Sequence, residues 1–229
     1  MNGLSLLPSR CILCGGLLTD GKLICAKCAE DGLLIRGKIC RYCGMEKDRC
    51  ACRDHKRYYE RRIACVYYEG GARRGMARLN FYRHTMLAHH YGRMMAVNVG
   101  TKYGDIPFDH IVPVPMRRWD KIKRGYNCPE LLARRISEDT GVPLLKDGLY
   151  KRRRTKPQKR LRPGQRAANV LDAFSTRHAS LLKDKTILLV DDVATTGATL
   201  NECAKILRLA GARKVYAVTF AAVPQKKVE

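Results

Sequence analysis

Hydrophobic and polar positions divide the chain into two textures. From about Arg61 onward, short apolar runs alternate with longer stretches of helical period. Arg61 to Tyr68 predicts a strand through Ile63, Val66, Tyr67 and Tyr68, broken by Gly70-Gly71. Met76, Leu79, Arg83, Met86, Leu87, His90, Tyr91 and Met94 recur at helical spacing and predict one core-facing stripe, with His84, His89 and His90 at the surface or in helix contacts. Phe108 to Pro115 predicts a short strand ending in prolines. Cys128-Pro129 opens a helix that runs to about Asp139 and stops at Gly141. Val142 to Leu145, Thr186 to Val190 and Val215 to Ala222 predict further strands, and Thr199 to Ala210 a helix closed by Gly211. Strands alternating with helices predict an α/β domain with a mostly parallel central sheet and helices on both faces.

Residues 1–60 have no such pattern and too little apolar material for a core of their own. Nine of the eleven cysteines fall within the first 65 residues. In a reducing compartment such clusters hold metal rather than disulfides. Cys11-x2-Cys14 followed by Cys25-x2-Cys28 offers two thiolate pairs for one tetrahedral Zn²⁺. Gly15 and Gly44, directly after Cys14 and Cys43, allow a positive φ that turns backbone amides toward sulfur. A second set, Cys40-x2-Cys43 and Cys50-x1-Cys52, is less regular: a one-residue gap fits a single metal poorly, and His55 is an alternative ligand. Cross-pairing of Cys11 and Cys14 with Cys40 and Cys43 is also left open by the sequence. Four thiolates leave no position for water, so the expected role is structural, supplying on the order of 10 kcal/mol of folding energy per site. The organisation expected is a cysteine module over 1–60 and an α/β domain over 61–229, with loss of a cysteine unfolding only the former.

Charge narrows the partners. Forty-five Lys plus Arg against 21 Asp plus Glu leave a net +24, a surface that attracts polyanions. The longest uncharged stretch is the eleven residues from Val215 to Gln225, against about 20 needed to span a bilayer. Met1 to Arg10 has no basic segment followed by a long apolar one, so a signal peptide is not expected. A cytoplasmic protein without membrane insertion is the expectation.

The sharpest chemistry follows the buried Thr186–Val190 run: Asp191, Asp192, Val193, Ala194, Thr195, Thr196, Gly197, Ala198, Thr199. In an open α/β sheet ligands bind at the carboxyl ends of the strands, and a loop entering a helix presents free amides to an anion. The three threonines add hydroxyl donors, Gly197 permits close backbone approach, and two adjacent carboxylates accept hydrogen bonds from a vicinal diol. A diol beside a phosphate describes a ribose 5-phosphate. The loop lacks the lysine of a Walker A motif. It resembles the phosphoribosyl pyrophosphate signature of the type I phosphoribosyltransferases.

The resemblance narrows further. The cysteine module, Pro113-Val114-Pro115, Arg124-Gly125-Tyr126-Asn127, then Gln158, Arg166 and Asn169 leading into Ala173-Phe174, and finally the Asp-Asp loop, together resemble the ComF competence family over nearly the whole chain. Cys128 departs from the glutamine usual in that family. The resemblance implies a type I phosphoribosyltransferase fold preceded by a zinc module, associated with DNA uptake in natural transformation, with DNA-uptake or recombination proteins as partners. It implies that Asp191 and Asp192, the candidate catalytic pair, hold the ribose hydroxyls and that Thr195 to Thr199 hold the 5-phosphate. Arg117 and Arg124, after Val112–Pro115, would face pyrophosphate. In the parent fold Mg²⁺ bridges the ligand oxygens while pyrophosphate departs. An amidotransferase reading is disfavoured: the chain begins Met1-Asn2, its early cysteines are committed to CxxC pairs, and no ammonia source is evident.

Lys151 to Arg166 carries nine basic residues and no acidic one, among them Arg152, Arg153, Arg154, Lys156, Lys159, Arg160, Arg162 and Arg166. By position it corresponds to the active-site loop of the parent fold. A solvated face, a lid contacting pyrophosphate and a groove for a nucleic-acid backbone are all open. Arginines with little interleaved aromatic material favour phosphate contacts over base stacking. Two functions follow: a phosphoribosyl pyrophosphate-binding, single-stranded-DNA-binding accessory of DNA uptake, or an enzyme transferring phosphoribosyl to an unidentified acceptor.

Overall fold

The computed structural model describes residues 9–18, 21–52, 57–116, 118–152 and 173–224. Its elements in chain order are α1 (Ala26–Glu30), β1 (Arg61–Tyr67), α2 (Gly70–Phe81), α3 (Met86–Tyr103), β2 (His110–Pro113), α4 (Arg118–Arg124), α5 (Cys128–Thr140), β3 (Tyr150–Lys151), β4 (Phe174–Ser175), α6 (Ala179–Leu182), β5 (Thr186–Ala194), α7 (Ala198–Leu209) and β6 (Lys214–Ala222). Four strands form a parallel sheet in the order β1-β6-β5-β2.

Alternate residues of the strands feed two cores. Leu188, Val190, Val218 and Phe220 pack with α2, α3 and α5, whereas Ile187, Leu189, Val215 and Ala217 pack with α7 and the β3-β4 pair. Burial on both faces explains why these strands read as continuous aliphatic runs. The mostly parallel sheet with helices on both faces expected from the sequence is present.

Four local expectations change. The helical stripe is not one helix: α2 ends at Phe81, Arg83 takes a left-handed φ of 57°, and α3 begins at Met86. The corner lets Met76 and Leu79 reach the same core as Tyr91 and Met95, while Met86 itself stays exposed. Val142 to Leu145 is no strand. Only Leu144 bridges Ile111, in parallel, because Pro143 has no N–H to continue a ladder. Arg118 to Arg124, to which the sequence pattern assigned no element, is helical. Finally β5 runs on to Ala194, with Asp191 opposite Thr219, so the Asp pair lies within the strand and not after it.

The cysteine-rich segment packs into the same core as the sheet. Ile12, Leu13, Leu18 and Leu33 are buried in one cluster with Met76, Leu79, Tyr91 and Phe220. Tyr91 stacks on Phe220 with centroids 3.8 Å apart and donates from its hydroxyl to the Ile12 carbonyl at 2.7 Å. Arg78 donates to the carbonyls of Cys11, Ile12 and Leu13 at 3.2, 2.9 and 3.3 Å. Residues 33–41 run along β1: Tyr67 N–H donates to Leu33 at 2.8 Å, Ile35 N–H to Cys65 at 3.0 Å and Arg62 N–H to Arg41 at 2.8 Å. This covers an edge strand that would otherwise present open backbone groups.

Gly75 shows how close this packing is. A methyl group there would collide with the Tyr91 hydroxyl and lie 2.7 and 2.9 Å from the Leu13 and Ile12 carbonyls. On an exposed helix Gly→Ala stabilises by about 1 kcal/mol. Gly75→Ala is expected instead to destabilise by about 1–3 kcal/mol, the usual cost of overpacking, measured by denaturant unfolding. An unchanged or higher midpoint would contradict the close approach of α2 to the first cysteine loop.

Candidate functional site

The eight N-terminal cysteines form two separate groups, Cys11-Cys14-Cys25-Cys28 and Cys40-Cys43-Cys50-Cys52, and within each group the sulfur atoms all lie within 4.8 Å of one another. Cross-pairing is therefore not formed. The one-residue gap also proves compatible with a single ion: Cys50 is extended (φ −83°, ψ 128°), which directs residues two apart to one side. His55, the alternative ligand, lies outside the described residues. All eight are free thiols. Zinc fits on geometry, because a tetrahedron with Zn–S bonds of about 2.3 Å has S···S edges of about 3.8 Å. Cys14 and Cys25 are 3.7 Å apart, and Cys43 and Cys50 3.6 Å.

Charge points the same way. Burial pushes the Cys11 thiol up but is outweighed by backbone N–H groups of Cys14, Cys25 and Leu13, which bring it to about 6. Burial and neighbouring sulfurs push Cys28 strongly upward. Cys43 also rises, through its hydrogen bond to Cys52 and burial. Such sulfurs become thiolates together only around a cation. Further donors are aimed at sulfur: Gly16 N–H to Cys14 at 3.3 Å, Cys25 N–H to Cys11 at 3.4 Å and Cys52 N–H to Cys50 at 3.4 Å. Gly15 and Gly44 do adopt positive φ, 86° and 66°. Their own amides close the turns by donating to the Cys11 and Cys40 carbonyls, at 2.8 and 2.9 Å.

At its carboxyl end, β5 delivers the Asp pair. Asp191 is buried; burial, followed by the nearby Asp192 charge, raises its carboxyl well above the usual range. Asp192 is half-buried, and its backbone N–H donates to Asp191 at 2.9 Å. The chain then turns through Thr195 and Thr196, and Gly197 takes φ 78° immediately before α7. Ala198 N–H donates to the Thr196 hydroxyl at 3.3 Å, closing the turn. The first-turn amides of a 12-residue helix thus follow a carboxylate pair directly.

Arg124 joins this site through a residue the sequence did not single out. Asn80, at the end of α2, donates to Asp192 at 2.9 Å and accepts from Arg124 at 2.9 Å. The Arg124–Asn127 motif acts as a clamp: Gly125 has φ 90°, the Tyr126 hydroxyl donates to the Leu79 carbonyl, and Asn127 donates to the Val114 carbonyl at 3.1 Å. Cys128, in the first turn of α5, is fully buried beside the pair; burial, then Asp192 and Asp191, keep its thiol protonated. It thus sits beneath the site. Arg117 lies outside the described residues.

The basic run is partly described. Arg152 N–H donates to the Ala173 carbonyl at 2.7 Å, continuing the antiparallel β3-β4 pair, in which Tyr150 faces Ser175 and Lys151 faces Phe174. Leu149, Ala173 and Phe174 pack in the core that includes Leu200 and Cys203 of α7. Leu149 and Lys151 on one side and Ala173 and Phe174 on the other are therefore rooted beside the helix that follows the Thr195–Thr199 turn. Arg153, Arg154, Lys156, Lys159, Arg160, Arg162 and Arg166 lie outside the described residues.

Two zinc ions per chain are expected by elemental analysis, falling to one in Cys25→Ser. Because Ile12 and Leu13 share the core of the sheet, that variant should lower the melting temperature of the whole chain in a single transition. This replaces the expectation of a module that unfolds alone, and a two-step melt with residues 61–224 unaffected would restore it.

Comparison with known proteins agrees with these elements. The double zinc ribbon domain model matches residues 4–61, and the phosphoribosyl transferase domain model residues 123–229. "Competence protein F" of Haemophilus influenzae is 27% identical over 217 residues, covering 90% of this chain and 93% of that protein. "Competence protein ComFC" of Bacillus subtilis is 26% identical over 201 residues, 83% of this chain and 80% of that protein. "DNA utilization protein YhgH" of Escherichia coli K12 is 27% identical over 218 residues, 91% of this chain and 94% of that protein. With a double zinc ribbon laid along the edge of a phosphoribosyltransferase sheet and similarity to these competence and DNA-utilization proteins over most of its length, the chain is a ComFC-like protein.

Proposed function

We propose that this protein holds phosphoribosyl pyrophosphate at residues 191–199 and single-stranded DNA on its basic surface, serving DNA uptake. The observation that carries the first half is the sequence of groups at the end of β5: a carboxylate pair, a turn with Gly197 at φ 78° and the N-terminus of α7. Asp191 and Asp192 accept hydrogen bonds from the ribose diol. Amides and hydroxyls of Thr195 to Thr199 surround the 5-phosphate, where the helix dipole favours an anion. Arg124, set against Asn80, places a guanidinium on the pyrophosphate side of Asp192. An oxygen donor pair of this kind suits Mg²⁺: Asp191 and Asp192 would hold it, and when bound it would offset the charge of the ligand's phosphates. What the chain itself contributes is position and electrostatics.

The net charge of +24 and the competence and DNA-utilization names of the relatives support the second half. Lys151 to Arg166 supplies nine cations to a phosphate backbone and reads no base edge, so the binding has weak sequence preference.

Isothermal calorimetry with Mg²⁺ tests the pocket. Asp191→Ala combined with Asp192→Ala should abolish phosphoribosyl pyrophosphate binding while the melting temperature changes little; a folded double variant with unaltered affinity refutes the assignment. Pyrophosphate release in a screen of nucleobases and amines, with and without DNA, decides whether binding leads to turnover.

Single-stranded DNA should bind with a log-log salt slope of about −0.7 per phosphate neutralised. Neutralising Arg152, Arg153, Arg154 and Lys159 together should flatten that slope and weaken all sequences alike. If only phosphoribosyl pyrophosphate affinity falls, the run is an active-site lid and the DNA reading of it is wrong.

A further inference from the structure

Arg62 is 1% exposed, the largest fully buried side chain, and no ion pair engages it among the described residues. A guanidinium buried this way is costly unless its hydrogen bonds are made. Its Nε donates to the Cys43 carbonyl at 2.9 Å, and Nη2 donates to the same oxygen. Nη1 points the other way: a methyl group on Gly197 would lie 2.9 Å from it. One side chain therefore spans from the knuckle of the second cysteine cluster to the turn before α7.

Tyr59 makes the same connection. Its ring is buried, its hydroxyl donates to the Tyr42 carbonyl at 2.9 Å, and that hydroxyl would lie 3.3 Å from a methyl group on Gly197. Tyr42 sits inside the Cys40-x2-Cys43 turn and Cys43 is a cluster member. A third link lies alongside, where Tyr58 N–H donates to the Asn201 side chain of α7 at 2.8 Å. By strand alternation Arg62 shares a face with Ala217 of β6, whose small side chain leaves the passage open. The Arg62 charge also acts on Asp191, opposing the upward push of burial.

From this geometry we infer that Arg62 and Tyr59 are positioning residues that couple metal in the second cysteine cluster to the conformation of the Thr195–Thr199 loop. With Cys40, Cys43, Cys50 and Cys52 closed around zinc, the Tyr42 and Cys43 carbonyls are fixed, and the two side chains brace Gly197 in its left-handed state. Opening that cluster frees both carbonyls and removes the brace. Among the described residues the first cluster does not reach Gly197: its contacts run to Arg78, Tyr91 and the core on the other face of the sheet. The inference rests on the reading of residues 191–199 as a phosphoribosyl pyrophosphate site, and the coupling is necessarily reciprocal.

The experiment uses the full-length zinc-loaded protein with Arg62→Lys, Tyr59→Phe and Cys50→Ser variants. Hydrogen exchange of peptides covering 194–201 needs no ligand: exchange there should rise in all three variants, and Cys25→Ser should leave it unchanged relative to its own global stability. Calorimetric affinity for Mg²⁺–phosphoribosyl pyrophosphate should fall about tenfold in Arg62→Lys and less in Tyr59→Phe. In a chelator competition, saturating phosphoribosyl pyrophosphate should tighten one zinc about tenfold and leave the other unchanged, with the effect lost in Arg62→Lys. A merely structural role for Arg62 lowers stability without this ligand-dependent change in one zinc affinity. Wild-type binding with unaltered affinity, exchange and zinc competition in Arg62→Lys and Tyr59→Phe overturns the coupling. Absence of binding by wild-type protein overturns the ligand reading, and unaltered 194–201 exchange then overturns the brace as well.

Discussion

Four sulfur atoms gathered within 4.8 Å, twice over, impose the constraint on which the N-terminal half depends. Buried thiols in such groups stay protonated or repel one another until a divalent cation unites them, and zinc binding then becomes folding energy. Even so, the loops between the cysteines expose too much backbone to stand alone. Their apolar residues complete a core begun by α2, α3 and the sheet, and their carbonyls are satisfied by Arg78, Tyr91, Tyr59 and Arg62. The sheet gains in turn: β1 is an edge strand, and residues 33–41 cover it. Metal and sheet therefore stabilise one another across the boundary near residue 60.

Near the carboxyl end of β5, the same burial that steadies the strand raises the Asp191 carboxyl. Asp192, one residue on, faces the opposite side and meets Asn80 and the Cys128 thiol. Two chemically identical residues thus receive different surroundings from the alternation of a strand. Asn80 holds Asp192 and Arg124 at once, so a neutral amide spaces an acid from a base that would otherwise pair directly. Neither charge is then spent on the other, as the proposed phosphoribosyl pyrophosphate site requires.

Much of the fold was legible because its signals are local. The aliphatic run of β5, the Pro129 and Gly141 limits of α5 and the Gly211 stop after α7 follow from backbone propensity and period. The split of the 76–94 stripe was not legible, since the left-handed Arg83 is imposed by packing of α2 and α3 on one core and no glycine marks it. Nor was the pairing within Cys50-x1-Cys52, which depends on an extended backbone at Cys50. Asn80, Arg62 and Tyr59 carried no spacing signal. Arg62 in particular reads as one of two arginines opening a strand, and only the paired β1-β6 register places it on an inner face.

The sequence by itself determined the α/β class, the clustering of cysteines in CxxC-type pairs near the start of the chain, the acid-and-threonine loop and the sign of the surface, because each is a property of composition or of residues close together in the chain. The tertiary structure decided which cysteines group together, that the ribbons share the core of the sheet, and that residues from α2, α4 and β1 converge on the end of β5. Those outcomes join segments far apart in the chain: Arg62 and Gly197 are 135 positions apart, and the ribbon residues Ile12 and Leu13 share a core with Phe220. No local preference encodes such a contact; it follows only when strand order and register bring the two segments to the same face.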